Sequence, residues 1–323
     1  MKQPLFGIYQ GSARFSRAMA GLAVLLFAGL QVANFEISIN AQVVLAVIAL
    51  AIGIPHGAID HLITIPRTSS SRFIAFITIY TLIAIIAALA IAKWNLVGFQ
   101  LVVLMSALHF GFGDSAFANE SRAANEKSGY SKLVLASYAI PAGFLPVVLP
   151  LTDKRTLDVL QELNPTLINW AGTFTELIRN STLALALIAI GLLVVTRNFD
   201  LTLDLFLLLG LSLLAPPLVA FAVYFGFWHA IRHTARLVPK LPSATQKVGS
   251  GKLMASFLAA VIPGLYAILG IFLLSIFIVA RGSTEVSSDF LWVILVIIWA
   301  LTVPHMATTA KFDIKAFKSS LRP

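Results

Sequence analysis

Apolar stretches of about twenty residues follow one another from Phe15 to Thr309, broken only by short polar loops. A helix of that length crosses the roughly 30 Å hydrocarbon core of a bilayer, where every backbone amide needs an internal partner. The sequence therefore predicts an all-α fold, a polytopic bundle of transmembrane helices. Hydrophobic residues make up 59% of the chain and charged residues 11%, against roughly 45–50% and about 25% in soluble domains. No polar block is long enough for a separate soluble domain, so residues 1–323 read as one integral-membrane domain that acts in or at the bilayer.

Spans are expected at about 15–34, 41–62, 73–92, 97–117, 132–151, 182–196, 253–280 and 290–310. The run 203–236 is too long for one span, and Ala215-Pro216-Pro217 divides it into about 203–215 and 217–236, because proline lacks the amide donor. Residues 152–181 stay open: Asp153, Lys154, Arg155, Asp158 and Glu162 begin a polar loop, and 167–178 reads as an interfacial amphipathic helix or a short span. The count is eight to ten. Lys and Arg gather at the amino terminus, in 67–72, in 236–252 and in 311–322, which puts all four in the cytoplasm and makes the count even, favouring ten. Lys2, Arg14 and Arg17 before an apolar stretch superficially resemble a signal peptide. No polar domain follows, so the stretch reads as a retained first helix of a multi-pass cell-membrane protein.

The net charge of +9 belongs to termini and loops and is read as topology and lipid contact, not as a nucleic-acid surface. The chain has no cysteine, which excludes disulfides, thiol nucleophiles and thiolate-held iron–sulfur clusters. Any metal would have nitrogen and oxygen ligands.

All six histidines lie inside or at the end of apolar runs. They occur in Pro55-His56-Gly57-Ala58-Ile59-Asp60-His61, His109-Phe110-Gly111-Phe112-Gly113-Asp114, Trp228-His229-Ala230-Ile231-Arg232-His233 and Pro304-His305-Met306. An ionisable side chain at hydrocarbon depth normally has a partner or a task. With the topology above, the four clusters share one depth, in the cytoplasmic leaflet. A shared metal is the simplest reason, since neutral imidazole is its commonest ligand.

His229 and His233 are four apart and share a helix face. His56 and Asp60 have the same spacing, so Asp60 can accept the second N–H of a ligating ring. His61 falls about 140° from His56 on an ideal helix and reaches the same ion only if Pro55 and Gly57 distort the turn. Gly111 and Gly113 beside His109 allow close helix approach or local unwinding. Asp114 is an outer acceptor or a helix-end charge, and Arg232 snorkels or pairs with Asp60 or Asp114. His305 stands alone, four before Thr309 and one after the helix-kinking Pro304. Tyr224, Phe225, Phe227 and Trp228 are core packing or the lining of a hydrophobic ligand site. Histidines without thiolate suit iron, copper or zinc, and iron with open positions in an apolar chamber leans toward oxidation of a lipid-soluble substrate.

These four strings, in this order, resemble the Brp/Blh family of membrane β-carotene 15,15′-dioxygenases, and the resemblance covers nearly the whole chain. It implies a helical enzyme that holds non-haem Fe(2+) through histidines, admits β-carotene or a related carotenoid from the membrane lipid, and uses O2 to split the central double bond into two retinals. The product would supply a rhodopsin. The family's four-histidine site maps onto His56, His109, His229 and His233; Asp60, from its spacing to His56, is counted beside them as a catalytic residue. His61 and His305 lie in matching motifs and remain candidates.

Other readings stay in play. A membrane di-iron desaturase or hydroxylase acting on a lipid would need more histidines than six. A metal or proton transporter would spread polar groups through both halves of the membrane. A bis-histidine haem protein would show a Soret band. An opsin would need a mid-span lysine, which is absent from every proposed span.

Overall fold

A computed structural model describes residues 2–65, 69–282 and 286–319. Arg67, and with it part of the basic 67–72 loop, lies outside the described residues, as does the end of the basic tail at 320–323. The described residues form helices α1 (Lys2–Val32), α2 (Ile39–Gly57), α3 (Asp60–Thr64), α4 (Ser70–Lys93), α5 (Asn95–Ala124), α6 (Lys132–Leu151), α7 (Thr156–Leu163), α8 (Thr175–Val195) and α9 (Phe199–Leu214). They continue with α10 (Pro217–Ala222), a π-helical stretch (Val223–His229), α11 (Ala230–Leu237), α12 (Pro242–Gly249), α13 (Leu253–Val261), α14 (Leu265–Gly282) and α15 (Val286–Ser319).

Among the described residues, eight helices are long and apolar enough to cross a membrane: Gln3–Val32, Ile39–Thr64, Ser70–Lys93, Asn95–Ala124, Lys132–Leu151, Gly172–Val195, Leu253–Arg281 and Trp292–Ile314. The split at Ala215-Pro216-Pro217 is as the sequence predicts, because α9 stops at Leu214 and Pro217 opens α10. The two pieces are not among the eight: α9 has 16 residues, about 24 Å against a roughly 30 Å core, and its successor, helical throughout 217–237, is made less apolar by His229, Arg232, His233 and Arg236. Residues 152–181 hold no separate span. The short helix falls at Thr156–Leu163, two 3-10 turns follow at Pro165–Leu167 and Gly172–Phe174, and α8 starts at Thr175, earlier than expected.

Serines start three of the spans. Ser38, Ser69 and Ser131 each accept the backbone N–H three residues on, an N-cap that contributes about 1 kcal/mol. The outer surface is apolar: Leu25, Leu89, Ile188 and Leu269 are all at least 60% exposed, as lipid-facing side chains should be. Packing between spans relies on small residues. Gly111 of α5 lies against the Ala139 carbonyl of α6, and Gly143 of α6 lies reciprocally against the Ala107 carbonyl of α5. A side chain at either glycine would push the helices apart, so close approach, not unwinding, is the role of Gly111; α5 runs unbroken through it.

Candidate metal centre and its cavity

α2 ends one residue after His56, at Gly57, and the chain turns through Ala58 and Ile59 before α3 begins at Asp60. The expected one-face pairing of His56 with Asp60 therefore fails, because no continuous helix joins them. Asp60 instead accepts from His305 Nδ1 at 2.9 Å and from the Tyr80 hydroxyl at 3.2 Å. The same turn sends His61 away from His56, to pack on Phe73 with ring centroids 6.0 Å apart.

Five of the six histidines meet. His56, His229, His109 and His305 form a ring of neighbours with successive centroid separations of 5.3, 5.3, 5.3 and 5.5 Å. His233 touches all four, at 5.0 Å from His56, 5.6 Å from His229, 6.2 Å from His109 and 5.5 Å from His305. The arrangement is a four-sided pyramid with His233 at the apex. The π stretch ends on His229 and α11 carries His233, so the widened turn sets where this pair leaves the helix. Such turns are frequent at functional sites.

Each of the five rings is buried and carries a nitrogen without a hydrogen-bond partner: Nδ1 of His56, Nε2 of His109, His229 and His305, and both nitrogens of His233. Orphaned polar atoms at this depth are costly unless something else binds them. Two rings have their other nitrogen engaged by a side chain. The Thr309 hydroxyl donates toward backbone carbonyls of His305 and Met306 and lies 3.4 Å from His109 Nδ1. It is thus placed to accept the Nδ1–H of His109, leaving Nε2 as a lone pair. Asp60 does the same for His305.

Among the described residues no three His, Asp or Glu are gathered tightly enough to grip an ion as they stand. The ring spacing gives the reason. Rings on a flat square with sides of 5.3–5.5 Å sit about 3.8 Å from its middle, whereas a ring bound through nitrogen at roughly 2.1 Å has its centre about 3.3 Å from the metal. An inward shift of about half an ångström closes the difference, so the donor set and its burial fit a nitrogen-ligated metal.

Behind the histidines lies a charged layer that the sequence placed only in part. Arg232 is 1% exposed and does not snorkel. It donates to Asp204 at 2.9 and 3.2 Å and to Ser16 at 2.9 Å, and pairs more loosely with the expected Asp114, at 4.0 Å. Arg17 of α1 also donates to Asp204, at 2.6 Å. Asp114 is neither an outer acceptor for a histidine nor a surface charge; it is 1% exposed and accepts from Trp228 at 2.8 Å and Tyr224 at 3.3 Å. Arg236, one turn on from Arg232, bridges Glu120 at 2.9 Å and Asp313 at 2.8 Å. Asp204, a carboxylate within an apolar run, was the available signal for this layer. Tyr80, Glu120 and Asp313 carried none.

An apolar cavity of about 450 Å³ opens on the histidines, within the range of small-molecule sites. Its wall includes Val47 and Leu50 of α2, Val103 of α5, Phe225 of the π stretch and Trp299 of α15. His56, His109, His229 and His305 border it, and His233 is not part of its lining. The open base of the pyramid therefore faces the cavity. His61 also borders it, away from the five rings. Of the four aromatics before His229, Phe225 lines the cavity, Tyr224 and Trp228 hold Asp114, and Phe227 packs on Phe15.

Comparison with known proteins places the chain in a family. The chain is 28% identical over 273 residues, 79% of its length and 88% of the other's, to a beta-carotene 15,15'-dioxygenase from uncultured marine bacterium 66A03. No solved structure matches. A family model described as beta-carotene 15,15'-dioxygenase matches residues 47–313, a segment that contains every histidine of the pyramid, and the chain belongs to that family.

Proposed function

We propose that this protein cleaves the central 15,15′ double bond of β-carotene, or of a related carotenoid, with O2 to give two retinals, using Fe(II) held by His56, His109, His229 and His233. The observation that carries this reading is the cluster of buried, unpartnered imidazoles with its open side against an apolar cavity. Non-haem iron on such ligands supplies the redox chemistry that lets O2 react with an alkene.

The chain's own residues do the rest. One C=C bond breaks, two C=O bonds form, and each oxygen atom goes to one product, so the balance requires no proton donor or acceptor. That suits a cavity wall made mainly of aromatic and aliphatic side chains, in which the Asp60 carboxylate is already engaged by His305 and Tyr80. Val47, Leu50, Val103, Phe225 and Trp299 hold a rigid polyene by shape and keep water from the reacting carbons. His109 is steadied by Thr309. The substrate is lipid-soluble, and lateral entry between helices spares it an aqueous transfer. The site lies in the cytoplasmic leaflet of the cell membrane, with both termini cytoplasmic, and the product is available to a retinal-binding partner such as a rhodopsin.

The test is expression in carotene-producing bacteria. Carotene should disappear and retinal accumulate with the intact chain, and neither should change with His229→Ala. Unchanged carotene in cells that carry inserted, folded wild-type protein would remove this function.

A further inference from the structure

His305 is the least conspicuous histidine in the sequence, a lone ring on the last long helix. In the structure it completes the base of the pyramid, 5.3 Å from His109, 5.5 Å from His56 and 5.5 Å from His233. Its Nδ1 is 2.9 Å from Asp60 Oδ2, the same oxygen that lies 3.2 Å from the Tyr80 hydroxyl. The hydroxyl is also 3.3 Å from the Leu301 carbonyl, one turn before His305. With Nδ1–H donated to the carboxylate, Nε2 carries a lone pair. That atom is buried and has no hydrogen-bond partner. A structural histidine–aspartate pair has no need for a second nitrogen left bare among four other imidazoles. A carboxylate that fixes a ring's tautomer and presses its other nitrogen toward a cation is a recurrent feature of metal sites.

The geometry points to His305 as a fifth nitrogen donor to the metal, held in place by Asp60 and Tyr80 as positioning residues. This inference rests on the iron reading above. It explains why Asp60 serves a ring 245 positions away and not its sequence neighbour His56. It also defines where the centre is open: four donors rim the base, His233 caps the far side, and the free face looks into the cavity.

The test uses the full chain purified in detergent. Iron affinity is measured by chelator competition, and the d–d spectrum of the cobalt(II) form reports the number of donors, because those bands strengthen as coordination number falls. Wild type should bind one ion. His305→Gln should weaken binding by at least tenfold and intensify the cobalt bands. Asp60→Asn should weaken binding by about 10–100-fold, the usual cost of losing such a carboxylate. Tyr80→Phe should do the same to a smaller degree, and His61→Ala should leave affinity and spectrum unchanged. If His305→Gln does not fold, the Asp60→Asn and Tyr80→Phe pair decides. Wild-type affinity and spectrum in folded His305→Gln, or in that pair, would overturn the inference while leaving the iron reading intact. A wild-type chain that takes up no iron would overturn both.

Discussion

Gly111→Ala should be among the most damaging single-methyl changes in this protein, although Gly111 touches no substrate. The added Cβ would lie 3.0 Å from the carbonyl carbon of Ala139 and 3.1 Å from the amide nitrogen of Gly143, and it would collide with the Ala139 oxygen. These obstacles are backbone, so no side-chain rotation relieves them. The Ala139 oxygen is the closest of the three, and restoring ordinary contact with it requires α5 and α6 to separate by roughly 1–1.5 Å. Overpacking of this kind costs about 1–3 kcal/mol. His109 is two residues away on the same helix, and a displacement of about 1 Å at a reacting centre can cost on the order of 100-fold in rate. Gly191 supplies the control. It lies in α8 with open space where a Cβ would go, so Gly191→Ala should be neutral or stabilise by up to about 1 kcal/mol. Thermal unfolding in detergent and retinal yield in cells should both fall for Gly111→Ala and hold for Gly191→Ala. Gly111→Ala with wild-type melting and yield would refute the claim that this helix crossing positions His109.

Three further outcomes follow from other parts of the structure. Asp204→Leu leaves buried Arg232 without its hydrogen-bonded carboxylate and should destabilise by about 3–5 kcal/mol, whereas Asp200→Ala, at a side chain 77% exposed, should cost at most about 1 kcal/mol; equal melting temperatures would discount the buried pair. Val103→Phe narrows the cavity wall and should lower turnover by on the order of tenfold or more with iron content unchanged, so undiminished turnover would take the carotenoid out of this cavity. The chain is naturally free of cysteine, so Lys247→Cys on α12 should react with an impermeant thiol reagent only from the cytoplasmic side; labelling from outside would reverse the topology.

The membrane fold was legible because composition decides it: long apolar runs with few charges leave helices as the economical solution. The histidine cluster was legible because histidine in such runs is expensive, so each occurrence carries information. Which histidines meet was not. The sequence left His61 and His305 open, and the structure separates them through the break after Gly57, which turns His61 toward Phe73 and brings Asp60 to His305. Helical periodicity assumed one continuous helix through that break and paired Asp60 with His56. The Arg232–Asp204 pair escaped for a related reason: a charge in one apolar run signals a partner somewhere, but its place is set by how α1, α9 and α11 pack. Nothing in residues 223–229 marks a π turn; the stretch lies where Gly226 comes close to Ala49 and Phe225 lies against Gly53.

Reconstitution of purified, chelator-stripped protein tests the central claim most directly. In detergent with β-carotene and O2, the stripped protein should produce no retinal, and stoichiometric Fe(II) should restore cleavage with two retinals formed per carotene consumed. Full turnover by the stripped protein, or none after Fe(II) is bound, would contradict an iron centre built from these histidines as the site of carotenoid cleavage.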